Sequence, residues 1–260
     1  MLTSRLGYDV LTVEVLWRRA MLRLLHQPGR VALAAIAPLG GWVLVGLGLG
    51  QALTAEGSLI DYRQFAFPGA TALVVLWASA TLTTVDPTGL EQTALASPAS
   101  RGAVALGRCL GVATAAFVVG QVPLAVAPAA NFSLGRIDWP LWLAASSLTA
   151  ILLATLCSCS GALAGETRRY RMLILGVLVP LWMLSDALFP LTHAPWLVTA
   201  LVMANPCTYA VATLRAAYHG SSAPPLFAVP PAPALASLAL FALVGLALAV
   251  LCESTRRGRA

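Results

Sequence analysis

The sequence predicts an all-α, polytopic membrane protein with six transmembrane helices in a single domain, residues 1–260. Of its residues, 59% are hydrophobic and only 10% are charged, whereas a soluble domain usually carries about 25% charged residues. Six apolar segments have the length of about 20 residues that a bilayer core requires. They lie at approximately 31–50, 67–85, 104–127, 141–164, 172–189 and 234–252.

The distribution of arginine predicts that both termini are cytoplasmic. With the N-terminus inside, the outer segments hold three of the 16 arginines, Arg63, Arg136 and Arg215, and the inner segments hold the other thirteen. This is the positive-inside bias of a multi-pass protein of the cell membrane. The net charge of +6 therefore belongs to the inner membrane face, and we do not interpret it as a nucleic-acid-binding surface.

No site for ATP hydrolysis is expected in this chain. All of its basic residues other than histidine are arginine, and it contains no lysine. A P-loop uses a lysine to reach the phosphates of the nucleotide. The chain therefore lacks the ordinary ATP-binding motif.

Residues 8–26 have the pattern of an amphipathic helix with a basic polar face. At about 100° per residue, one face is apolar; it contains Val10, Val13, Trp17, Ala20, Met21 and Leu24. The opposite face is polar and contains Thr12, Arg19, Arg23 and His26. Such a helix lies along the inner leaflet among the lipid headgroups, the alternative being a solvated helix on the protein surface. The sequence Gln27-Pro28-Gly29 then predicts a break before the first span.

The polar stretch at residues 85–104 predicts a short cytoplasmic helix between the second and third spans. Asp86 is a favourable N-cap, and Pro87 suits the first helical position. Pro98 ends the helix, which therefore covers residues 86–97. An element of this length, with a proline at each end, is suited to fit into a cleft on another protein. A surface loop with incidental helix is the alternative.

Within this predicted helix, one face is apolar. Leu90 and Ala94 share it because they are four residues apart, and Glu91 joins the exposed side. Ser100 is a candidate cap for the next helix, where Arg101 lies near the headgroups.

The outer segment after the fifth span predicts a re-entrant helical hairpin over residues 190–219. Residues 196–204 are apolar but far too short to cross a membrane. Asn205 can cap a following helix that has Pro206 at its first position and runs to His219. Backbone that is not helical at membrane depth must be buried in protein or line a cavity. An external loop with two interfacial helices is the alternative.

The ionisable and thiol side chains predict no catalytic or metal site. Cys157 and Cys159 lie in an apolar segment without a neighbouring histidine or acid, which favours close helix packing. Asp186, near the outer end of the fifth span, can contact a substrate or be solvated at the interface. The motifs HExxH and GxSxG are absent, which disfavours a membrane-embedded enzyme.

In layout, these features resemble the membrane subunits of type-2 ABC exporters, the ABC-2 permeases, over nearly the whole chain. The residues between spans two and three are similar to the coupling segment of that family; they are Asp86, Gly89, Leu90, Glu91, Ser97, Pro98 and Arg101. A proline, Pro87, stands where a charged residue is common. The outer segment is similar to the hairpin of the family at Phe189-Pro190, Pro195-Trp196, Asn205-Pro206, Thr208, Tyr209, Ala210, Leu214 and Arg215.

The resemblance implies a transport subunit that works with separate partners and performs no bond chemistry. Separate ATPase subunits would bind ATP and Mg²⁺, so this chain would need no cofactor. A second permease subunit, identical or different, would complete the pathway. The residues that would contact the ATPase are Asp86, Thr88, Gly89, Leu90, Glu91, Ala94 and Arg101. Those of the outer gate would be Pro190, Pro195, Trp196, Asn205, Pro206, Tyr209 and Arg215.

The apolar spans do not identify the substrate. Glycines and two tryptophans in these segments, Trp77 and Trp182, suit an amphipathic or lipid-like export substrate in contact with membrane lipids, and they equally suit ordinary helix packing. A channel or receptor-like membrane scaffold without ATP coupling is the alternative function. ATPase activity that requires a co-expressed partner would distinguish the exporter from that alternative.

Overall fold

Six helices in the computed structural model are long and apolar enough to cross a membrane. The structure describes residues 2–48, 62–83, 99–130, 134–188, 195–219 and 230–255, and these residues form helices and no strand. The prediction of an all-α protein with six spans is therefore confirmed.

The helices follow the predicted order. They are α1 (Leu2–His26), α2 (Pro28–Gly48), α3 (Tyr62–Leu82), α4 (Arg101–Val119), α5 (Val122–Val126), α6 (Trp139–Ala164), α7 (Thr167–Ala187), α8 (Trp196–Ala204), α9 (Pro206–His219) and α10 (Pro231–Thr255). The six candidate spans are α2, α3, α4 continued by α5, α6, α7 and α10. Short 3₁₀ turns at Ala127–Ala130 and Leu134–Arg136 lie between α5 and α6.

Side-chain caps set the ends of two spans. The hydroxyl of Ser100 accepts a hydrogen bond from the backbone N–H of Ala103 at 3.2 Å, which confirms the predicted cap of α4. The carboxylate of Asp138 caps α6 in the same way by accepting from the N–H of Leu141 at 3.1 Å. At the other end of α6, Gly165 has a φ of +70°. Glycine is favoured at such a position because it adopts the left-handed conformation without strain.

Two glycines of α4 bring α1 unusually close. A Cβ atom on Gly107 would lie 2.9 Å from the Cα of Val13, and one on Gly111 would lie 2.7 Å from the Cβ of Ala20. Small residues four positions apart form a flat strip on which another helix backbone can pack. Part of the predicted apolar face of α1 therefore contacts α4. The location of α1 at the membrane interface stays a prediction.

The exposed side of α1 carries an apolar stripe that the predicted faces did not include. Tyr8, Leu11, Val15 and Leu22 are all exposed, and at about 100° per residue they point in nearly the same direction. Arg18 lies beside this stripe and is also exposed. Helix α1 thus has one apolar side that packs against α4 and a second apolar side that is exposed.

The central span is α3, and α2 and α10 are the most exposed spans. The contacts of α2 are mainly with α3, while α10 packs along α6. That last contact is close, because a Cβ atom on Gly245 would lie 2.6 Å from Oγ1 of Thr155. The remaining helix, α9, lies among α3, α6 and α10. This arrangement places a helix that is not one of the six spans in the interior of the protein.

Candidate functional site

The helices α8 and α9 form a bent pair, which we call the outer hairpin (residues 195–219) after its predicted side of the membrane. The two helices meet at 81° across a one-residue break at Asn205. Within Trp196–Ala204 only Val202 is buried, and Trp196 is 80% exposed. In contrast, α9 is buried along most of its length. Helix α8 is therefore mostly exposed and α9 mostly buried. The turn between them determines how α8 is attached to the protein.

The side chain of Asn205 connects the turn to α9 and to α7. Its Oδ1 accepts a hydrogen bond from the backbone N–H of Cys207 at 2.9 Å, which confirms the predicted cap of α9. Its Nδ2 donates to the carbonyl oxygen of Leu181 in α7 at 2.6 Å. Asn205 is only 3% exposed, so both of these polar groups need protein partners. The bond to α7 was not predicted.

Two hydroxyl groups of α9 bind the end of α8. Thr208 Oγ1 donates to the carbonyl of Val202 at 2.8 Å, and the hydroxyl of Tyr209 donates to the carbonyl of Met203 at 2.8 Å. The last carbonyls of a helix have no partner within that helix. The hydroxyls satisfy these groups and fix the direction in which α8 leaves the turn.

A buried ion pair connects α9 to the C-terminal end of α7. Nη1 of Arg215 lies 2.7 Å from Oδ2 of Asp186, and Nη2 donates to the backbone carbonyl of Asp186 at 2.8 Å. The guanidinium also lies 4.5 Å from the centre of the Phe65 ring in α3. Asp186 and Arg215 are 3% and 5% exposed. Interfacial solvation is therefore wrong for Asp186, and its contact with a substrate stays a prediction.

The C-terminal part of α7 is irregular where it meets this pair. Residues Met183–Ala187 have the wider π-helical hydrogen bonding, and Ser185 and Asp186 depart from helical angles. Asp186 has φ of +60° and ψ of +21°. Aspartate tolerates this left-handed conformation better than most residues, although it is still uncommon. A first π-helical stretch, Ile174–Leu178, precedes Pro180, which cannot continue regular helical hydrogen bonding.

An aromatic cluster holds the C-terminal end of α9. The ring of Tyr218 lies 4.6 Å from the Trp142 ring of α6 and 5.1 Å from the Phe67 ring of α3. Its hydroxyl lies 3.3 Å from Oγ1 of Thr71. Together with the ion pair, these contacts fix α9 between the spans. None of them was predicted, because each joins residues far apart in sequence.

An apolar cavity of about 200 Å³ lies between α2, α3 and α7. It is lined by Ala37, Pro38, Gly41, Trp42, Val45, Ala66, Ala70, Leu73, Trp182 and Leu188. The indole N–H of Trp42 donates to the carbonyl of Arg63 at 3.1 Å, and that of Trp182 donates to the carbonyl of Gly69 at 2.9 Å. The polar atoms of both indoles are thus satisfied, and the cavity wall is almost entirely hydrocarbon.

No cluster of three or more metal-binding side chains is found in the part of the chain that the structure describes.

The profile of the ABC-2 type transporter family matches residues 12–219. The chain belongs to this family. None of the curated proteins compared with it matches. The family match and the six apolar helices make the chain a multi-pass membrane protein and the permease component of an ABC transporter. Members of this family are transport subunits without catalytic chemistry of their own.

The structure places six of the seven predicted gate residues of this permease in the outer hairpin. Pro195 precedes α8 and Trp196 begins it, while Pro206 begins α9. Tyr209 and Arg215 make the contacts described above. Pro190 lies outside the described residues. Of the predicted gate residues, Asn205 and Arg215 contact α7, and Tyr209 contacts α8.

Most of the predicted coupling segment of the permease lies outside the described residues. This applies to Asp86, Thr88, Gly89, Leu90, Glu91 and Ala94. Arg101 is the first residue of α4. Next to it, the backbone N–H of Ser100 donates to Oδ1 of Asp9 in α1 at 2.6 Å. No pattern in the sequence indicated a role for Asp9, whose partner is 91 positions away.

Replacing Asn205 should destabilise the permease by removing a cap and a bond to α7 together. We expect Asn205→Ala to lower the free energy of unfolding by about 0.5–2 kcal/mol for the cap, plus the effect of the lost bond. Serine can still cap α9, but its side chain is too short to bind Leu181 in addition. We therefore expect Asn205→Ser to be intermediate in thermal unfolding. A serine variant as stable as wild type would show that the bond to α7 contributes nothing.

Proposed function

We propose that this permease is the membrane subunit of an ATP-driven exporter, in which two permease subunits form the pathway and separate ATPase subunits drive it. The observation that carries the proposal is the family match over residues 12–219, which includes both the predicted coupling segment and the outer hairpin. The absence of lysine supports the assignment of ATP and Mg²⁺ to the partner, because a P-loop requires one.

The position of Asn205 supports a hairpin that re-enters the membrane from outside. Its side chain contacts Leu181, which precedes the end of α7 by about six residues, or about 9 Å of helix. The turn therefore lies beside α7 and not beyond its end. Its irregular backbone is buried and hydrogen-bonded, which is the condition for such backbone at membrane depth. In the exporter, the hairpin acts at the outer gate.

The contacts of α1 support a path from the ATPase to the spans. The loop between α3 and α4 ends at Ser100, which Asp9 binds, and α1 in turn packs against Gly107 and Gly111 of α4. A displacement of residues 86–97 by the ATPase therefore moves α1 and α4 together.

The termini are cytoplasmic in this arrangement. The exposed apolar stripe of α1, with Arg18 beside it, contacts lipids of the inner leaflet of the cell membrane.

The apolar cavity supports an amphipathic or lipid-like substrate. Its volume of about 200 Å³ and its hydrocarbon wall suit a segment of an alkyl chain, and they offer little to a strongly polar solute. No nucleic acid is expected as a partner, because the basic residues lie mainly on the predicted inner membrane face.

A substitution in the predicted coupling helix tests the function. We expect Leu90→Arg to abolish co-purification of a co-expressed ABC ATPase, because it forces a charge into an apolar groove. Leu90→Ala should weaken the complex less. Glu91→Ala, at the solvent-screened edge, should affect coupling more than binding. The measurements are co-purification and then substrate-stimulated ATP hydrolysis by the complexes that form.

The matched control is Gln92→Arg, which introduces the same charge on the opposite face of the predicted helix. We expect this variant to retain the ATPase. If Leu90→Arg leaves both measurements at the wild-type level, residues 86–97 do not couple the subunits. An active complex containing only this chain would instead favour a channel or scaffold without ATP coupling.

A further inference from the structure

Three carbonyl groups in the last turns of α7 and directly after it accept hydrogen bonds from side chains of other helices. The carbonyl of Leu181 accepts from Asn205, and that of Asp186 accepts from Arg215. The carbonyl of Leu188 accepts from the hydroxyl of Tyr62 at 3.1 Å. The outer hairpin and α3 thus hold this irregular end of α7 through hydrogen bonds. Irregular turns of this kind in a helix often mark functional sites.

The guanidinium of Arg215 binds both the side chain and the backbone of one residue. Its two terminal nitrogens contact Oδ2 and the carbonyl oxygen of Asp186 at 2.7 and 2.8 Å. Both oxygens belong to a residue in the left-handed conformation. The guanidinium therefore contacts the backbone at this irregular position as well as the negative charge.

The burial of the pair is weak evidence that it adds net stability to the protein. Well-packed apolar side chains of the same size often stabilise a protein as well as a buried ion pair does. In addition, Nε of Arg215 has no hydrogen-bond acceptor among the residues that the structure describes. Exposure to water would satisfy this donor, which lowers the cost of separating the pair.

We propose that Arg215 and Asp186 are positioning residues of the outer hairpin, which hold the hairpin and the irregular end of α7 as one unit that is released when their contact breaks. This inference rests on the proposed role of the hairpin at the outer gate. It assigns to Asp186 a role in gate position in place of the predicted contact with substrate. The exposed α8, with Val202 as its one buried residue, follows the turn when the unit is released.

Amide hydrogen exchange on the purified chain in lipid nanodiscs tests this inference. Asp186→Asn removes the charge but keeps a residue that tolerates the left-handed conformation. Arg215→Lys keeps the charge but loses the two-pronged contact. For each variant we expect exchange at residues 183–188 and 202–208 to rise together by roughly tenfold or more, and by more than exchange in α6 and α10. The matched control is Asp138→Asn, the same change in an exposed cap of α6, which should alter neither segment.

The neutral variant Asp186→Asn/Arg215→Gln separates positioning from stability, because neither partner is left as an unpaired charge. We expect it to unfold at the wild-type temperature and still to show faster exchange in both segments. Wild-type exchange in the neutral variant, or a rise confined to one segment, would overturn the inference. If the two segments respond together but transport is unaffected, the positioning role stands and the gate function fails.

Discussion

Gly69→Val should prevent this ABC-2 permease from reaching its folded state. A Cβ atom at Gly69 would lie 2.6 Å from the carbonyl oxygen and 2.9 Å from the Cα of Ala187. These are backbone atoms, so no side-chain rotation can relieve the overlap, and α3 would have to move away from α7. That movement would also stretch the 2.9 Å bond from the indole of Trp182 to the carbonyl of Gly69. The measurement is the yield of monodisperse protein after extraction from the membrane.

A graded series tests the steric origin of this effect. Overpacking in a core costs about 1–3 kcal/mol in general, so Gly69→Ala should fold with reduced stability. The control is Gly41→Ala in α2, where an added Cβ meets no atom within 4 Å. That change should be neutral or stabilising by up to about 1 kcal/mol, because alanine favours helix. If Gly69→Ala and Gly41→Ala unfold at the same temperature, α3 and α7 do not need to approach closely.

Arg215→Met should destabilise the permease by about 3–5 kcal/mol, because it removes the positive charge that faces the buried carboxylate of Asp186. This is a large part of the roughly 5–15 kcal/mol that stabilises a typical domain. Adding Asp186→Asn should recover much of the loss, since the buried negative charge is then absent as well. Thermal unfolding of the single and double variants in nanodiscs measures both effects.

Arg136→Met provides the control for loss of an arginine on the predicted outer side. Arg136 is exposed, and surface substitutions of this kind usually change stability by less than about 0.5 kcal/mol. Equal destabilisation by Arg136→Met and Arg215→Met would contradict the ion pair as the cause. A double variant less stable than Arg215→Met would contradict it as well.

The number and order of the spans were predictable because membrane insertion depends on local hydropathy. Each span needs about 20 apolar residues in succession, and the six predicted segments correspond to α2, α3, α4 with α5, α6, α7 and α10. Capping is equally local. Ser100 and Asn205 bind backbone groups two or three residues further along the chain, so their roles could be inferred from residue type and position.

The contacts of the candidate site could be predicted only in part. A signal for the ion pair was present, since Asp186 and Arg215 are opposite charges that both lie toward the predicted outer side. Their pairing could not be derived, because the turn at Asn205 brings residues 29 positions apart into contact. The irregularity of α7 had a weaker signal in Pro180, which does not by itself specify the conformation of Asp186.

By itself, the sequence determined that the chain is a six-span helical membrane protein with a helix break at Asn205 and Pro206. These properties follow from hydropathy and backbone preferences over a few residues. Only the tertiary structure decided which side of α1 meets protein, where α9 lies, and how Asp186 is neutralised. These contacts join distant positions, such as Gly111 with Ala20 and Gly69 with Ala187. The physical reason is that close packing depends on the shapes of two surfaces together, whereas a hydrophobic pattern describes only one of them.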